Sequence, residues 1–251
     1  MSDADNPKFD IESEAELEAL RKRMKDPFFL PSHEDIRKVF PTREEWDKYK
    51  NDSGVKFHEL LNKEFLEALA NYIIERANVY QGLEGQPLII LEIGAGDGRL
   101  AHFLQEELNK RAKGKFVVVA TDSGAWKTEH PFPVEIFSYK DALENYHPKI
   151  VVCSWMNPGE DWTAGIRSTR SVEEYILIGG ISTCGDSWNT WGIPPMDADP
   201  QFYQQSSVPY VKDGFEIAHM DGISCYQIAR TDHLAVADTY HSSTNSFRRK
   251  K

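Results

Sequence analysis

The stretch that decides the fold is Leu91-Glu92-Ile93-Gly94-Ala95-Gly96-Asp97-Gly98-Arg99-Leu100. The apolar run Leu88–Ile93 predicts a buried strand, and the amphipathic pattern of Leu100–Arg111 predicts a helix directly after the glycines. Glycine permits a tight turn and lets another molecule approach the main chain, and a helix start offers free N–H donors. A plain turn is the alternative interpretation of the glycines alone.

A carboxylate follows the next predicted strand. Phe116–Thr121 has the composition of a buried strand, and Asp122-Ser123 comes directly after it. The carboxyl ends of neighbouring parallel strands share one edge of a sheet, so Asp122 is expected beside the glycine turn, where it can accept both ribose hydroxyls of an adenosine ligand. A nicotinamide dinucleotide normally requires GxGxxG, whereas the glycines here follow GxGxG with Glu92 two residues before them.

The rest of the chain alternates between predicted strands and helices, which indicates parallel βαβ units. Further strands are predicted at Val134–Phe137, Ile150–Ser154 and Tyr175–Ile178, with a short helix at Asp141–Tyr146. Near the end, Asp221-Gly222 is a strong hairpin signal between the strand-like runs Phe215–Met220 and Ser224–Arg230. We therefore expect an α/β protein with a mostly parallel seven-stranded sheet and an antiparallel C-terminal hairpin.

Helices are predicted before the first strand. Glu14–Lys25 is highly charged, Ser32 can cap a second helix, Thr42-Arg-Glu-Glu matches a capping box, and Phe57–Val79 has apolar residues at helical spacing. We expect three regions: an N-terminal helical extension at 1–56, the α/β domain at 57–236 and a flexible tail at 237–251. The extension holds several aromatic residues, and two interpretations stay open for it: a lid over the cleft, or extra helices packed on the sheet.

Composition excludes several classes of protein. The chain has 251 residues, 40% of them hydrophobic, which is enough for one large domain or two small ones. Its net charge of −11 makes nucleic acid an unlikely partner. No apolar run approaches the length of a membrane span, and the acidic start Met1–Asp10 does not resemble a secretory signal. The three cysteines have no metal-ligand spacing, so reduced thiols in a cytoplasmic protein are expected.

The glycine motif and Asp122 resemble the class I S-adenosylmethionine-dependent methyltransferases, a superfamily with a Rossmann-like fold. The resemblance covers about Leu88–Asp232 and rests on an acidic residue before GxGxG and an acid after the second strand. It implies S-adenosylmethionine as cofactor, with the glycines beneath it, Glu92 and Asp97 at its amino-acid end, Asp122 at its ribose and Asp141 near its adenine amine. An N-cap is the alternative role for Asp141. The cofactor-binding residues implied are Glu92, Gly94, Ala95, Gly96, Asp97, Gly98, Asp122, Ser123, Asp141 and Ser154.

The acceptor side is expected in the loop after Ile150–Ser154, because ligands sit beyond the carboxyl ends of such strands. Some amino-group methyltransferases carry Asn/Asp-Pro-Pro-aromatic there, which Asn157-Pro158-Gly159-Glu160 matches only in part, and a simple turn is the alternative. The candidate catalytic residues are Trp155, Asn157, Glu160 and Asp161. Trp188 and Trp191 lie in a second loop, where packing is the alternative to binding a cation.

Three functional hypotheses follow. The first is a methyltransferase acting on a small-molecule acceptor, with an amine nitrogen favoured because aromatic faces and carboxylates attract cations. The second keeps the enzyme and makes the acceptor a protein side chain. The third is a methyltransferase-like binding protein without turnover, against which the intact glycine motif and Asp122 argue. His130 is a further proton acceptor or, alternatively, a surface histidine. The sequence leaves the oligomeric state open.

Overall fold

A computed structural model describes residues 13–52, 57–80, 86–127, 130–232 and 242–251. Seven strands are found in these ranges. They are β1 (Leu88–Ile93), β2 (Phe116–Asp122), β3 (Glu135–Ile136), β4 (Ile150–Ser154), β5 (Glu174–Gly179), β6 (Phe215–His219) and β7 (Ser243–Arg249). They form one sheet in the order β3-β2-β1-β4-β5-β7-β6.

Six of the strands run in the same direction, and the last one, β7, runs in the opposite direction. β1 pairs in parallel with β2 and β4, β2 with β3, and β4 with β5. β7 lies between β5 and β6 and is antiparallel to both. The predicted fold class, a mostly parallel seven-stranded Rossmann-like sheet with an antiparallel C-terminal pair, is confirmed.

Nine α-helices are found in the described ranges. They are α1 (Glu14–Arg23), α2 (His33–Val39), α3 (Arg43–Lys50), α4 (Lys63–Ala77), α5 (Arg99–Ala112), α6 (Tyr139–Tyr146), α7 (Thr163–Ser168), α8 (Pro209–Lys212) and α9 (Asp221–Ser224). Ser32 caps α2 and Thr42 caps α3, as the sequence predicts, and the capping box predicted at Thr42 is present; Ser32 also forms one with Asp35. Residues 81–85, where the end of the long helix before β1 was expected, lie outside the described residues.

The sheet is covered on both faces. Side chains alternate along a strand, so Ile90 of β1 packs into a core with α4 and α5, whereas Leu91 and Ile93 point into a second core on the other face. The strands are therefore buried on both sides, which places their carboxyl ends, and the loops that follow them, at one edge of the molecule.

The N-terminal helices build a small core of their own. Phe40 and Trp46 are buried there against Leu60 and Ile228, and the Trp46 indole N–H donates to the Asp232 carbonyl at 2.8 Å. This favours packing as the role of these aromatic residues. Residues 1–12 and 53–56 of the predicted extension lie outside the described residues.

Two predictions for the C-terminal part are wrong. Asp221-Gly222 begins helix α9 instead of a hairpin turn, and Ser243–Arg249 is a central strand of the sheet instead of part of a flexible tail. β7 is polar yet buried, because partners satisfy its side chains: the Thr244 hydroxyl donates to Gln227 at 2.7 Å, for example. The α/β domain therefore extends to Arg249. Residues 237–241 of the predicted tail lie outside the described residues.

None of the described helices combines the length and apolarity needed to cross a bilayer. Within the same residues, no cluster of histidine, cysteine, aspartate or glutamate side chains is arranged to hold a metal ion.

Candidate cofactor and acceptor site

The turn between β1 and α5 has a backbone that only glycine adopts readily. Gly94, Gly96 and Gly98 have φ angles of +66°, +58° and +80°, all in the left-handed region. The Ala95 N–H donates to the Thr121 carbonyl at 3.0 Å, which fixes the turn beside the end of β2. Ala95 is itself buried and packs against neighbouring alanines.

The three glycines have different surroundings. A Cβ at Gly94 would lie 2.7 Å from the Trp162 ring, and one at Gly98 would lie 2.6 Å from Val134. At Gly96, no atom of the described residues lies within 4 Å of that position. All three glycines were expected to lie beneath a ligand. Only Gly96 has room for one, because Gly94 and Gly98 are in contact with the protein's own side chains.

Asp122 lies at the glycine turn, as the sequence predicts. Its Oδ2 accepts the Gly96 N–H at 3.1 Å, and its Oδ1 accepts the Gly124 N–H at 2.7 Å. A carboxylate has about four acceptor positions, so about half of them stay available. Ser123, the next residue, is exposed, and its hydroxyl accepts the Ala125 N–H.

The two acids before and within the glycine turn support the start of α5. Glu92 is only 2% exposed, and it accepts the Ala101 N–H at 3.0 Å. Burial raises its pKa to about 8, so the carboxyl is largely protonated at neutral pH. The Asp97 carboxylate accepts the Arg99 N–H at 3.0 Å and is half-buried. Glu92 thus holds the main chain at the start of α5, whereas the Asp97 side chain is still partly accessible to solvent.

A histidine completes the rim of this turn. The His130 Nδ1 donates to the Gly96 carbonyl at 2.7 Å, so the ring borders the glycine that, of the three in this turn, faces open space. Sequence reasoning favoured a surface histidine here. Its separation of 34 residues from Gly96 left no local pattern that pairs the two.

Apolar surface lies beside Asp122 on the outer strand. Ile136 of β3 is the register partner of Asp122 and is 60% exposed, and Trp126 in the preceding loop is 76% exposed. Asp141 lies in the first turn of α6. The alternative prediction, that Asp141 is the N-cap of this helix, is wrong, because the N-cap is Ser138. The Asp141 carboxylate accepts the Ser138 hydroxyl at 2.7 Å and is exposed.

The loop after β4 carries the candidate catalytic residues, and most of them hold one another. The exposed Glu160 accepts from the Asn157 amide at 3.1 Å and from the Trp162 indole at 2.6 Å. Asp161 accepts from both the main chain and the hydroxyl of Thr163, and from the Thr190 hydroxyl at 3.3 Å. Asp161 therefore braces two loops together, while Glu160 stays accessible.

Trp155 is the most unusual residue of this loop. It directly follows Ser154, the half-buried last residue of β4, and has a φ of +57°, which is rare for a large side chain. Its indole N–H donates to Glu59 Oε2 at 3.1 Å, and its ring stacks on the exposed His58 at a centroid distance of 5.7 Å. Strained backbone of this kind clusters at functional sites.

Glu59 is a site residue that sequence reasoning missed. It reaches Trp155 from the segment before α4, which pairs with the chain near Ala229 through an isolated bridge. Its Oε1 accepts the Ile228 N–H at 2.8 Å, and burial of the carboxyl raises its pKa to about 8. No local sequence pattern marks it, because both partners are more than 90 residues away.

The second aromatic loop is mainly a packing element. Trp191 is buried, and its indole N–H donates to the Cys184 carbonyl at 2.7 Å. Trp188 is half-buried against Phe202. The interpretation of these two tryptophans as packing residues accounts for their contacts.

The N-terminal extension reaches the start of α5. The Arg99 guanidinium donates to the Phe29 carbonyl at 2.6 Å, and Phe28 makes an edge contact with Phe132 at a centroid distance of 4.9 Å. Phe132 in turn borders Gly98. The extension is thus adjacent to the glycine turn, and its closure as a lid stays a prediction.

Comparison with known proteins finds similar proteins among solved structures. No protein-family model matches the chain, and no curated protein matches it. Similar structures include the DszA carbon methyltransferase (14% identity, TM-score 0.44) and the citrinin polyketide synthase CMeT domain (14% identity, TM-score 0.45), covering 92% and 94% of this chain. This chain spans 66% of the length of each. The plantazolicin methyltransferase BpumL, solved with SAH, has 10% identity and a TM-score of 0.38, with 94% of this chain and 98% of that chain covered. At these values the function has to be argued from the geometry of the site itself.

Proposed function

We propose that this chain is an S-adenosylmethionine-dependent methyltransferase whose acceptor is a small molecule with an amine nitrogen. The observation that carries the proposal is the open space at Gly96 next to the Asp122 carboxylate. Two main-chain N–H groups orient that carboxylate and leave about two acceptor positions, which suits the two hydroxyls of a ribose.

The adjoining apolar surface suits the adenine ring. Ile136 and Trp126 are large, exposed and apolar, and Ile136 is the strand partner of Asp122. A flat heteroaromatic ring gains most from apolar or aromatic faces of this kind. The exposed Asp141, at the start of the following helix, is the candidate acceptor for the adenine amine.

S-adenosylmethionine, when bound, supplies a methyl group already activated on a sulfonium. The chain therefore has to hold the acceptor in line and exclude water, which can contribute on the order of 7–11 kcal/mol at the extreme. Trp155 follows β4 and is half-buried, with its indole N–H on Glu59, and the exposed Glu160 lies in the same loop. Aromatic faces and carboxylates favour a cationic acceptor, and Glu160 is a candidate to accept the proton that an amine loses.

Calorimetric titration with S-adenosylmethionine and S-adenosylhomocysteine tests the cofactor part. We expect saturable binding that weakens about tenfold or more in Asp122→Ala, because hydrogen bonds to a charged group contribute roughly 1.5–3 kcal/mol. Asp197→Ala, which removes an exposed carboxylate elsewhere, is the matched control and should bind normally. Absence of binding to the wild-type chain at millimolar cofactor would end the proposal.

Transfer of a labelled methyl group tests the acceptor part. A panel of small primary and secondary amines is compared with lysine-containing and arginine-containing peptides. Labelling of small amines supports the proposal. Labelling of peptides alone would favour a protein side chain as acceptor, and cofactor binding with no transfer to any amine or peptide would favour a binding protein.

A further inference from the structure

A basic cleft lies at the edge of the sheet opposite the glycine turn. It is a shallow, open depression of about 470 Å³ beside the first residue of β5 and the end of β7. Five cationic side chains and one carboxylate line it: Arg76, Arg248, Arg249, Lys250, Lys251 and Glu216. This concentration of positive charge contrasts with a net charge of −11 for the whole chain.

The three arginines are fixed in place by the protein. Arg76 forms an ion pair with the fully buried Glu174 at 2.7 Å, and Arg248 approaches the same carboxylate at 3.9 Å. The Arg249 guanidinium donates to the main-chain carbonyls of Val172, Arg167 and Thr169. These arginines therefore supply a preorganised positive field, which a bound anion does not need to order first.

The two lysines supply donors that are still available. Lys250 and Lys251 are exposed, and among the described residues no carboxylate lies within ion-pair distance of either ammonium group. The Lys250 N–H donates to the Gly214 carbonyl at 2.7 Å, so the main chain that carries these lysines is held at the cleft. An ammonium group carried by anchored main chain suits a phosphate oxygen.

We propose that this cleft binds a compact polyphosphate anion. Its volume of about 470 Å³ leaves room for a small anion between these cationic side chains. A long nucleic acid would extend its phosphates from the cleft over a surface that is acidic on average, which repels them. A short anion is attracted by the cationic side chains of the cleft and does not extend over the acidic surface. The proposal is independent of the cofactor site, because the two lie at opposite edges of the sheet.

Calorimetric titration with inorganic tripolyphosphate tests it, since this probe has no adenosine that could enter the site at Gly96. We expect one site per chain whose affinity falls as salt is raised. The double variant Lys250→Ala/Lys251→Ala should bind about tenfold more weakly, as the loss of roughly two charge contacts implies. Glu216→Gln, which removes the one carboxylate lining the cleft, should bind more tightly.

The control is Lys113→Ala/Lys115→Ala. It makes the same charge change at the same edge of the sheet, with three strands between β2 and β7. It should bind tripolyphosphate within twofold of wild type. The proposal is overturned if wild type gives no heat at millimolar probe, or if the control loses as much affinity as the cleft variant. Tighter binding of a single-stranded RNA than of tripolyphosphate, lost in the cleft variant, would also overturn it by assigning the cleft to nucleic acid.

Discussion

Adding one methyl group at Gly96 should weaken cofactor binding while leaving the fold intact. The φ angle at Gly96 is +58°, and an L-residue in that region costs roughly 1–2 kcal/mol. No described atom lies within 4 Å of the new Cβ, so the added group meets no clash. In Gly94→Ala, by contrast, the Cβ would lie 2.7 Å from Trp162, so that variant confounds binding with packing.

The two expected effects differ in size. For a domain of 150–250 residues, 1 kcal/mol corresponds to about 2–4 °C in Tm, so the strain in Gly96→Ala predicts a decrease of roughly 2–8 °C. A methyl group placed in the space that an adenosyl group would fill resembles overpacking, which costs roughly 1–3 kcal/mol. That is about fivefold to more than hundredfold in affinity.

Thermal unfolding and calorimetric titration with S-adenosylhomocysteine measure both effects on the same protein. The control is Gly114→Ala, since Gly114 also has a left-handed φ, +76°, and no described atom within 4 Å of a Cβ. Both variants should lose similar stability, and only Gly96→Ala should lose affinity. If Gly96→Ala binds S-adenosylhomocysteine as tightly as wild type does, the ligand does not approach this glycine and the reasoning for the site is refuted.

Two further predictions concern buried carboxyls. Burial raises the pKa of Glu59 to about 8. Between about pH 5 and 8 the folded state therefore holds a proton that the unfolded chain, with a carboxyl pKa near 4.5, has already released. Because of this difference, the free energy of unfolding of the wild type should fall as pH rises from about 5 through 8. Urea unfolding at pH 5, 7 and 9 should show a shallower fall in Glu59→Gln, and an unchanged slope would contradict the assignment. Glu174→Gln should destabilise the chain by about 3 kcal/mol, because it breaks a buried ion pair. We take the lower end of the range for such changes because the side chains of Arg76 and Arg248 are 20% and 28% exposed, so water can partly solvate the charges left unpaired. A loss below about 1 kcal/mol in urea unfolding would show that this network is not a main support of the fold.

Local patterns in the sequence predicted the local parts of the structure. The N-caps at Ser32 and Thr42 involve contacts only three residues apart, so both partners stand in one short window. The glycine turn and Asp122 were also predictable, because the order of strand, turn, helix and strand fixes which strand ends are neighbours. These are the elements for which chain order and spatial order agree.

Long-range pairing explains the main failures. Asp221-Gly222 has the local preference of a hairpin turn, but the partner of β6 is β7, which the sheet order sets between β5 and β6. β7 contains one large apolar residue, Phe247, and its buried polar residues depend on partners such as Gln227 and Glu174. A strand stabilised in this way has no hydrophobic alternation to mark it in the sequence.

The same limit applies to the site, where neighbours decide what each residue does. The GxGxG pattern predicts a left-handed backbone at all three glycines but does not distinguish their surroundings. In the structure, Trp162 covers Gly94 and Val134 covers Gly98, and only Gly96 of the three is open. Trp162 also donates its indole N–H to Glu160, so one side chain connects the glycine turn with the loop after β4. A change at Glu160 can therefore reach the glycine turn, where the cofactor is proposed to bind, through Trp162. Kinetic effects of acceptor-loop variants have to be separated from cofactor affinity before either is assigned to chemistry.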